Sequence, residues 1–371
     1  MPARREVLFV TGEASGDLHA GPVAAALAAR RPDLHQVAIG GDRLRAAGAE
    51  VIVDCRDLSA MGFVEVIGAI PRHWRLLTRL RERFARGHTA LVVLLDYPGF
   101  NLRVATAARA AGIPVLYYIT PQVWAWGKGR LARMSRDIAH AAVILPFEAP
   151  LLESAGIPTT FVGHPLAEHA AALPTRAEAR RTLGLAPDVP VLALFPGSRT
   201  GEIARHWAPM RDAALRLQAE RPGLEVLVAQ APGRSVPTSP FRTVVGAAGT
   251  IYRAADAALS KSGTNTLEAA VAGCPLVVGY RANPLTVAIA RRLVALPHVS
   301  LVNIVAGREV VPELIQEAMT ADALAARVRP LLVADAPERR AQLEGLGAVA
   351  ASLGEPGAAA RVAAIADRMV P

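Results

Sequence analysis

Short apolar runs alternate with Ala- and Arg-rich stretches of helical length along almost the whole chain. This is the pattern of a parallel α/β sheet. In the first half it predicts strands at 7–10, 36–39, 91–95, 114–119 and 142–145, with helices from about Leu18 to Arg30 and Leu102 to Ala111. In the second half it predicts strands at 191–195, 225–229, 242–245, 257–259 and 275–278, with a helix beginning near Glu202. Two runs lead straight into glycine turns: Val7–Val10 into Thr11-Gly12-Glu13-Ala14-Ser15-Gly16-Asp17, and Val191–Phe195 into Pro196-Gly197-Ser198-Arg199. An unbroken apolar run reads as a strand buried on both faces. Glycine at its carboxyl end lets the backbone turn sharply and approach a ligand. Two α/β units facing each other, with a site in the cleft between them, are therefore expected.

At 371 residues the chain exceeds a single core. The expected division is a domain over 1–170, a second over 171–353, and a terminal helix within 354–371. The stretch Glu168–Pro190 is the expected hinge. Gly354-Glu355-Pro356-Gly357 interrupts the chain before a last helical segment, Ala358 to Met369, which can pack back on the first domain.

A hydrophobic content of 52% excludes a disordered chain. The net charge of +9 favours an acidic partner: phosphate, nucleic acid or anionic lipid. All basic residues except Lys128 and Lys261 are arginines. Cys55 and Cys274 show no CxxC and no zinc-like spacing, which points to a reducing cytoplasm. No secretory signal is expected before the first strand. No apolar run reaches the roughly 18 residues of a spanning helix; the longest candidate, Leu58 to Ile70, carries Glu65. The chain is expected not to cross a membrane, though it can lie on one.

Candidate chemistry lies at strand ends. After the strand ending at Leu259, Gly263 turns and Ser262 or Thr264 can cap a new helix, whose free N–H groups and dipole suit phosphate. Glu268, one turn in, can accept hydrogen bonds from ribose hydroxyls; an ordinary capped helix would carry the same residues. In Pro196-Gly197-Ser198-Arg199, the Arg199 guanidinium can neutralise a leaving diphosphate. Neither a Walker loop nor a GxGxxG fingerprint is present. Asp96 ends the run 91–95, where an open α/β sheet places its ligands, and can act as a general base; a turn-forming or N-cap Asp ahead of Pro98 is the alternative. Glu13, Asp17 and His19 can share that role or bind the acceptor. Trp124 and Trp126 suggest either stacking on a ligand or packing between domains. Finally, Arg72, Arg75, Arg79, Arg83 and Arg86 share one helical face beside Leu76, Leu77, Leu80 and Phe84, downstream of the apolar segment 60–70. Together these resemble a surface for acyl chains with phosphate-binding arginines; a core-packed helix with a solvated basic face gives the same pattern.

In this order, several segments resemble the lipid-A-disaccharide synthases, glycosyltransferase family 19. They are Gly12–Asp17, Met61–Val66, Asp96-Tyr97-Pro98-Gly99-Phe100-Asn101, Pro121-Gln122-Val123-Trp124-Ala125-Trp126, Val162–Leu166, Pro196–Arg199, Ser262–Glu268 and Asn303–Gln316. The resemblance spans almost the whole chain. It implies a GT-B fold, with two Rossmann-like domains whose parallel sheets face across a cleft, and no metal or other cofactor. It also implies transfer of a diacylglucosamine from UDP-2,3-diacylglucosamine to 2,3-diacylglucosamine 1-phosphate, with inversion, giving a β(1→6) disaccharide 1-phosphate and UDP. Carried over, Asp96 is the base, with Glu13 a second catalytic candidate, and Arg199 stabilises the departing diphosphate. Gly197, Ser198, Ser262, Gly263, Thr264, Glu268 and Asn303 hold the nucleotide, and the loop Ala306–Glu309 lines the donor side. Ser15, Gly16, Met61, Phe63, Val66, Arg72, Trp74, Arg75 and Arg79 serve the acceptor and the membrane. The family usually has Pro at Val302, a basic or larger residue at Gly127 and a small residue at Lys261. Because both substrates are acylated, the resemblance favours the membrane reading of 58–86, with the chain peripheral on the cytoplasmic face of the inner membrane. No nucleic acid is expected as partner, and a homodimer is compatible. A UDP-N-acetylglucosamine 2-epimerase or another GT-B lipid-linked glycosyltransferase is the alternative enzyme, and a nucleotide-sugar-binding regulator the non-enzyme one.

Overall fold

The computed structural model describes residues 5–58, 63–125, 128–283 and 297–370, with side chains for all of these except 63–70 and Lys128. Met61, Trp126, Gly127 and the side chains of Phe63 and Val66 therefore lie outside the described residues. The chain divides into two compact units, residues 1–165 with 355–371, and residues 166–354.

The first unit is built on seven parallel strands: β1 (Glu6–Thr11), β2 (His35–Gly40), β3 (Glu50–Asp54), β4 (Thr89–Leu95), β5 (Val115–Tyr118), β6 (His140–Val143) and β7 (Thr159–Phe161). Their order in the sheet is β3-β2-β1-β4-β5-β6-β7. Along β1 the side chains alternate between two cores. Leu8 and Val10 face a cluster with Leu80, Phe84 and Val104, from the helices Phe63–Ala85 and Pro98–Ala110. Val7 and Phe9 face the other, with Leu27 of the helix Ala14–Arg30 and Val362 and Ile365 of the helix Ala358–Met369. Apolar residues at every position of the run are thus required by helices on both faces.

The C-terminal helix packs on the first unit, as its amphipathic pattern requires. Val362, Ala363, Ile365 and Ala366 are buried. Arg30 and Arg31 reach Asp367 at 3.3 Å each, and Arg361 Nε donates to the Val162 carbonyl at 2.8 Å.

The second unit repeats the design with β8 (Val191–Phe195), β9 (Glu225–Gln230), β10 (Arg242–Val245), β11 (Ala257–Ser260), β12 (Leu276–Tyr280) and β13 (Glu313–Ile315). Their order is β10-β9-β8-β11-β12-β13, again all parallel. Leu192 and Leu194 pack against Ile203, Trp207 and Met210 of the helix Thr200–Glu220. The stretch expected as a hinge belongs to this unit: Arg180 is buried, donates to the Ala254 carbonyl and pairs with Asp256 at 3.0 Å.

Three strands, β3, β7 and β13, carry no unbroken apolar run. Their residues are half-buried or exposed, so the pattern that reveals central strands is absent from them. Among the described residues, no helix is long and apolar enough to cross a membrane.

Candidate active site

In each sheet the strand order reverses beside the first strand of the unit, between β1 and β4 and between β8 and β11. Chains leaving the carboxyl ends of such a strand pair diverge to opposite faces, and the crevice between them is where open α/β sheets take ligands. The segments that follow these four strands are Gly12-Glu13, Asp96-Tyr97, Pro196–Arg199 and Lys261–Gly263. Backbone strain gathers on the same edges. Among the described residues, the non-glycine residues at positive φ are Asp96 (46°) and Tyr97 (47°) after β4, Ile119 (57°) after β5, Ala247 (52°) after β10 and Gln316 (56°) after β13. Each such residue costs about 1–3 kcal/mol and persists only where its surroundings hold it.

At the first switch point the turn is held from several sides. The Asp96 carbonyl accepts hydrogen bonds from Asn101 Nδ2 at 2.8 Å and the Tyr117 hydroxyl at 2.7 Å. The Tyr97 ring lies flat over Gly12, where an added Cβ would come within 2.1 Å of it. This is the close approach that requires glycine in the β1 turn. The Tyr97 hydroxyl donates to the Leu58 carbonyl at 3.2 Å and stands 2.8 Å from His73 Nε2. Asp96 is exposed to solvent, yet the protein packed around its carboxyl raises its pKa from the ordinary aspartate value, opposed by the Tyr97 N–H. Burial, and then the Glu13 charge, raise the Tyr97 phenol. Glu13 is exposed, immediately before the helix Ala14–Arg30, with no capping bond from its side chain. Ser15 is exposed, while Gly16 is buried against Thr11.

Two expectations for this region are corrected. Asp17 does not serve the acceptor: its buried carboxylate accepts from the N–H groups of Gly41 (2.7 Å), Arg43 (2.9 Å) and Leu44 (3.2 Å), capping the short helix Asp42–Ala46. Nor does Asp96 cap the helix Pro98–Ala110; Tyr97 stands at that position, in left-handed conformation.

The Arg-rich helix is split between both readings of its pattern. Leu76, Leu77, Leu80 and Phe84 are buried in the sheet-facing core and are not an acyl-chain surface. Arg83 leaves the basic face to pair with the buried Glu6, its Nε donating at 2.8 Å. Arg72, Arg75 and Arg79 remain exposed, as does Trp74 at 51%, with the Arg103 guanidinium 5.7 Å from its ring centroid. Trp124 is tied within its own unit: its Nε1 donates to Glu148 Oε1 at 3.0 Å, and its ring meets Phe147 edge-on. Burial raises Glu148 to about 7, opposed by the Trp124 and Leu145 N–H donors.

At the second switch point a residue missed in the sequence occupies the turn. The Glu202 Oε2 accepts from the N–H groups of Ser198 (3.1 Å) and Arg199 (3.3 Å), and its Oε1 lies 3.5 Å from Lys261 Nζ. Gly197, at φ 137°, leaves room for it: a Cβ there would fall 2.7 Å from the Glu202 Cβ. The signal available was a Glu three residues beyond the N-cap position held by Arg199. Gly197 thus approaches a carboxylate of its own chain. The Arg199 side chain is exposed. His206, also unforeseen, is buried between the Pro196 carbonyl, 2.8 Å from its Nδ1, and the Arg281 N–H, which donates to its Nε2 at 3.0 Å. Its Nε2 also lies 3.1 Å from the Arg281 carbonyl; burial lowers the ring's pKa, opposed by the Pro196 and Arg281 backbone groups.

Gly263, at φ 134°, is the N-cap of the helix Thr264–Ala272, so neither Ser262 nor Thr264 caps it. The Ser262 hydroxyl instead donates to the Val299 carbonyl at 2.6 Å, and Thr264 is exposed. Glu268 is half-buried; burial raises its pKa, while His169 and then Lys261 pull it back. Asn303 is placed differently from the expectation that it touches the nucleotide. Its Nδ2 donates to the Val311 carbonyl and Glu313 Oε1, both at 2.8 Å, and its Oδ1 accepts from Val310 N–H (2.7 Å) and Val311 N–H (3.0 Å). The fully buried side chain has no capacity left for a ligand. Asn303→Ala is therefore expected to destabilise the protein by about 2–4 kcal/mol, measured by urea unfolding, through the buried groups it leaves unpaired. Among the described residues, no cluster of three or more His, Cys, Asp or Glu could hold a metal ion.

The family model described as lipid-A-disaccharide synthetase matches residues 7–344. A lipid-A-disaccharide synthase of Myxococcus xanthus is 44% identical over 374 residues, covering 98% of this chain and 97% of the relative. One of Geobacter metallireducens is 39% identical over 378 residues, covering 99% and 97%. Among solved structures, a glycosyltransferase of kitacinnamycin superposes with a TM-score of 0.64 at 15% identity, covering each chain fully (100% and 100%). A UDP-GlcNAc 2-epimerase from Neisseria meningitidis, bound to UDP-GlcNAc, gives a TM-score of 0.60 at 13% identity, covering 94% and 97%. At such identities the structural likeness shows the fold alone, the two-unit GT-B type.

Proposed function

The chain belongs to the lipid-A-disaccharide synthase family, and on that premise we propose that it joins UDP-2,3-diacylglucosamine to 2,3-diacylglucosamine 1-phosphate. It is a glycosyltransferase of lipid A synthesis. The observation that carries the assignment of roles is the Asp96 turn: a carboxylate in strained backbone, at the carboxyl-end switch point of the first sheet. In this reading Asp96 takes the proton of the acceptor 6-hydroxyl as its oxygen attacks the anomeric carbon of the donor. The glycosidic bond forms as the bond to UDP breaks, and inversion follows from the single displacement. Glu13, beside Tyr97, serves the acceptor.

The donor belongs to the second unit. Glu268 is half-buried, and among the described residues its carboxylate accepts no hydrogen bond, which suits it to accept from ribose hydroxyls. Arg199 meets the departing diphosphate, and the Gly197-Ser198 and Ser262-Gly263-Thr264 turns supply backbone close to it. Since Glu202 already holds the Ser198 and Arg199 amides, a diphosphate reaches them only by replacing that carboxylate. Incubation with both substrates, followed by mass analysis of the lipid product, tests the assignment. The tetraacyl disaccharide 1-phosphate with release of UDP supports it, and an epimerised UDP-sugar without lipid product overturns it.

Both substrates carry acyl chains, and the chain meets them from the cytoplasmic surface of the inner membrane. The exposed Arg72, Arg75 and Arg79 with Trp74 support this docking face, an indole that can enter the headgroup layer beside cations that attract anionic lipid. At about 1 kcal/mol per basic residue near an anionic surface, reversing the three arginines to Glu is expected to weaken vesicle binding by about 100-fold or more at low salt. The difference narrows as salt is added. Sedimentation with anionic vesicles measures it, and unchanged partitioning would leave the arginines as a merely solvated face.

A further inference from the structure

The left-handed pair Asp96-Tyr97 follows directly from β4, and the groups that hold it come from elements with no other evident stake in the site. Asn101, in the first turn of the helix Pro98–Ala110, is fully buried. Its Nδ2 lies 2.8 Å from the Asp96 carbonyl, 3.0 Å from that of Leu95 and 3.4 Å from that of Val10. One amide group therefore gathers the carboxyl ends of β4 and β1, the two strands that flank the switch point. Its Oδ1 is buried and meets no donor, so the side chain is placed for what it donates. Tyr117, on β5 and equally buried, sends its hydroxyl to the same Asp96 carbonyl at 2.7 Å. Two donors on one carbonyl fix the orientation of the Asp96 peptide plane, and with it the direction of the side chain that leaves the same Cα.

We propose that Asn101 and Tyr117 are positioning residues for sugar transfer, acting through the Asp96 carbonyl to hold the left-handed turn that presents the Asp96 carboxylate. This rests on Asp96 being the base. Tyr117→Phe tests it with the smallest change, since the ring keeps its place in the core and only the hydroxyl is lost. Turnover is expected to fall about ten-fold, with KM for both substrates within about two-fold, and with UDP affinity and melting temperature unchanged. The discriminating measurement is a double-mutant cycle with Asp96→Asn. A residue that acts only through the carboxylate has nothing left to position once that carboxylate is gone, so Tyr117→Phe is expected to cause no further loss in the Asp96→Asn background.

Full turnover in Tyr117→Phe, or an equal fold-loss in both backgrounds, overturns the positioning role while leaving Asp96 as base. Wild-type turnover in Asp96→Asn removes the base reading itself, and the positioning role with it. If Tyr117→Phe lowers the melting temperature, the same cycle with Asn101→Ser decides: a loss confined to the Asp96 background supports the role, and an equal loss in both refutes it.

Discussion

Asp96→Asn is expected to lower turnover by about 10²–10⁴-fold, the range over which a positioned general base contributes, while UDP affinity and melting temperature stay at wild-type values. The amide is nearly isosteric and keeps the turn, but it cannot take the proton of a hydroxyl nucleophile. An aspartate in water is a weak base toward an alcohol; in the proposed role, the upward shift of the Asp96 carboxyl by the protein around it, opposed by the Tyr97 N–H, works in the direction a base needs. The sign of the pH dependence follows. The base works in its deprotonated form, so turnover falls as pH drops through its pKa, and that acid limb lies above the ordinary aspartate value. In Asp96→Asn the limb due to this group disappears from the residual rate. Loss of UDP binding in place of loss of transfer would make Asp96 a ligand or a structural residue.

How much of this was legible in the sequence depends on what a residue type can mean alone. The central strands were plain because burial on both faces leaves no polar alternation, as in Val7–Val10 and Val191–Phe195; half-exposed β3, β7 and β13 left no such trace. Gly12 and Gly197 were recognisable as close-approach positions, but not what approaches them, a Tyr97 ring in one case and the Glu202 carboxylate in the other. Glu13 and Asp17 stand in one turn with the same chemistry. Only the fold shows that Asp17 is buried under three backbone donors while Glu13 stays exposed. Asn303 was visible as part of a motif, yet its hydrogen bonds all turn inward. The stripe of Leu76, Leu77, Leu80 and Phe84 has one periodicity whether it faces lipid or a sheet, so pattern alone could not assign it.

Arg199→Ala is expected to reduce turnover by about 10²–10³-fold, the cost of removing one preorganised group that stabilises charge developing in the transition state. Among the described residues, Lys261 and Arg199 stand near the β8 and β11 turns, and their situations differ. Lys261 is half-buried and faces Glu202 at 3.5 Å, with Glu268 also in its field, so its charge is largely answered before any ligand arrives. Arg199 is exposed at the N-cap of the helix Thr200–Glu220, with a long side chain able to follow a leaving group. In the proposed role, negative charge grows on the diphosphate oxygens as the glycosidic bond breaks, so the guanidinium would contribute more in the transition state than in the ground state. Turnover is accordingly expected to suffer more than UDP affinity, which should weaken by about ten-fold, near the worth of a charge-assisted hydrogen bond. Because an exposed side chain supports little of the core, the melting temperature should not move. Arg199→Lys keeps the charge but loses the planar fork, and so should recover only part of the rate. Steady-state turnover beside calorimetric UDP binding separates these effects. A fully active Arg199→Ala variant would remove Arg199 from the transfer step and leave the departing charge to Lys261 released from Glu202, whereas a variant that fails to fold would make Arg199 a structural residue.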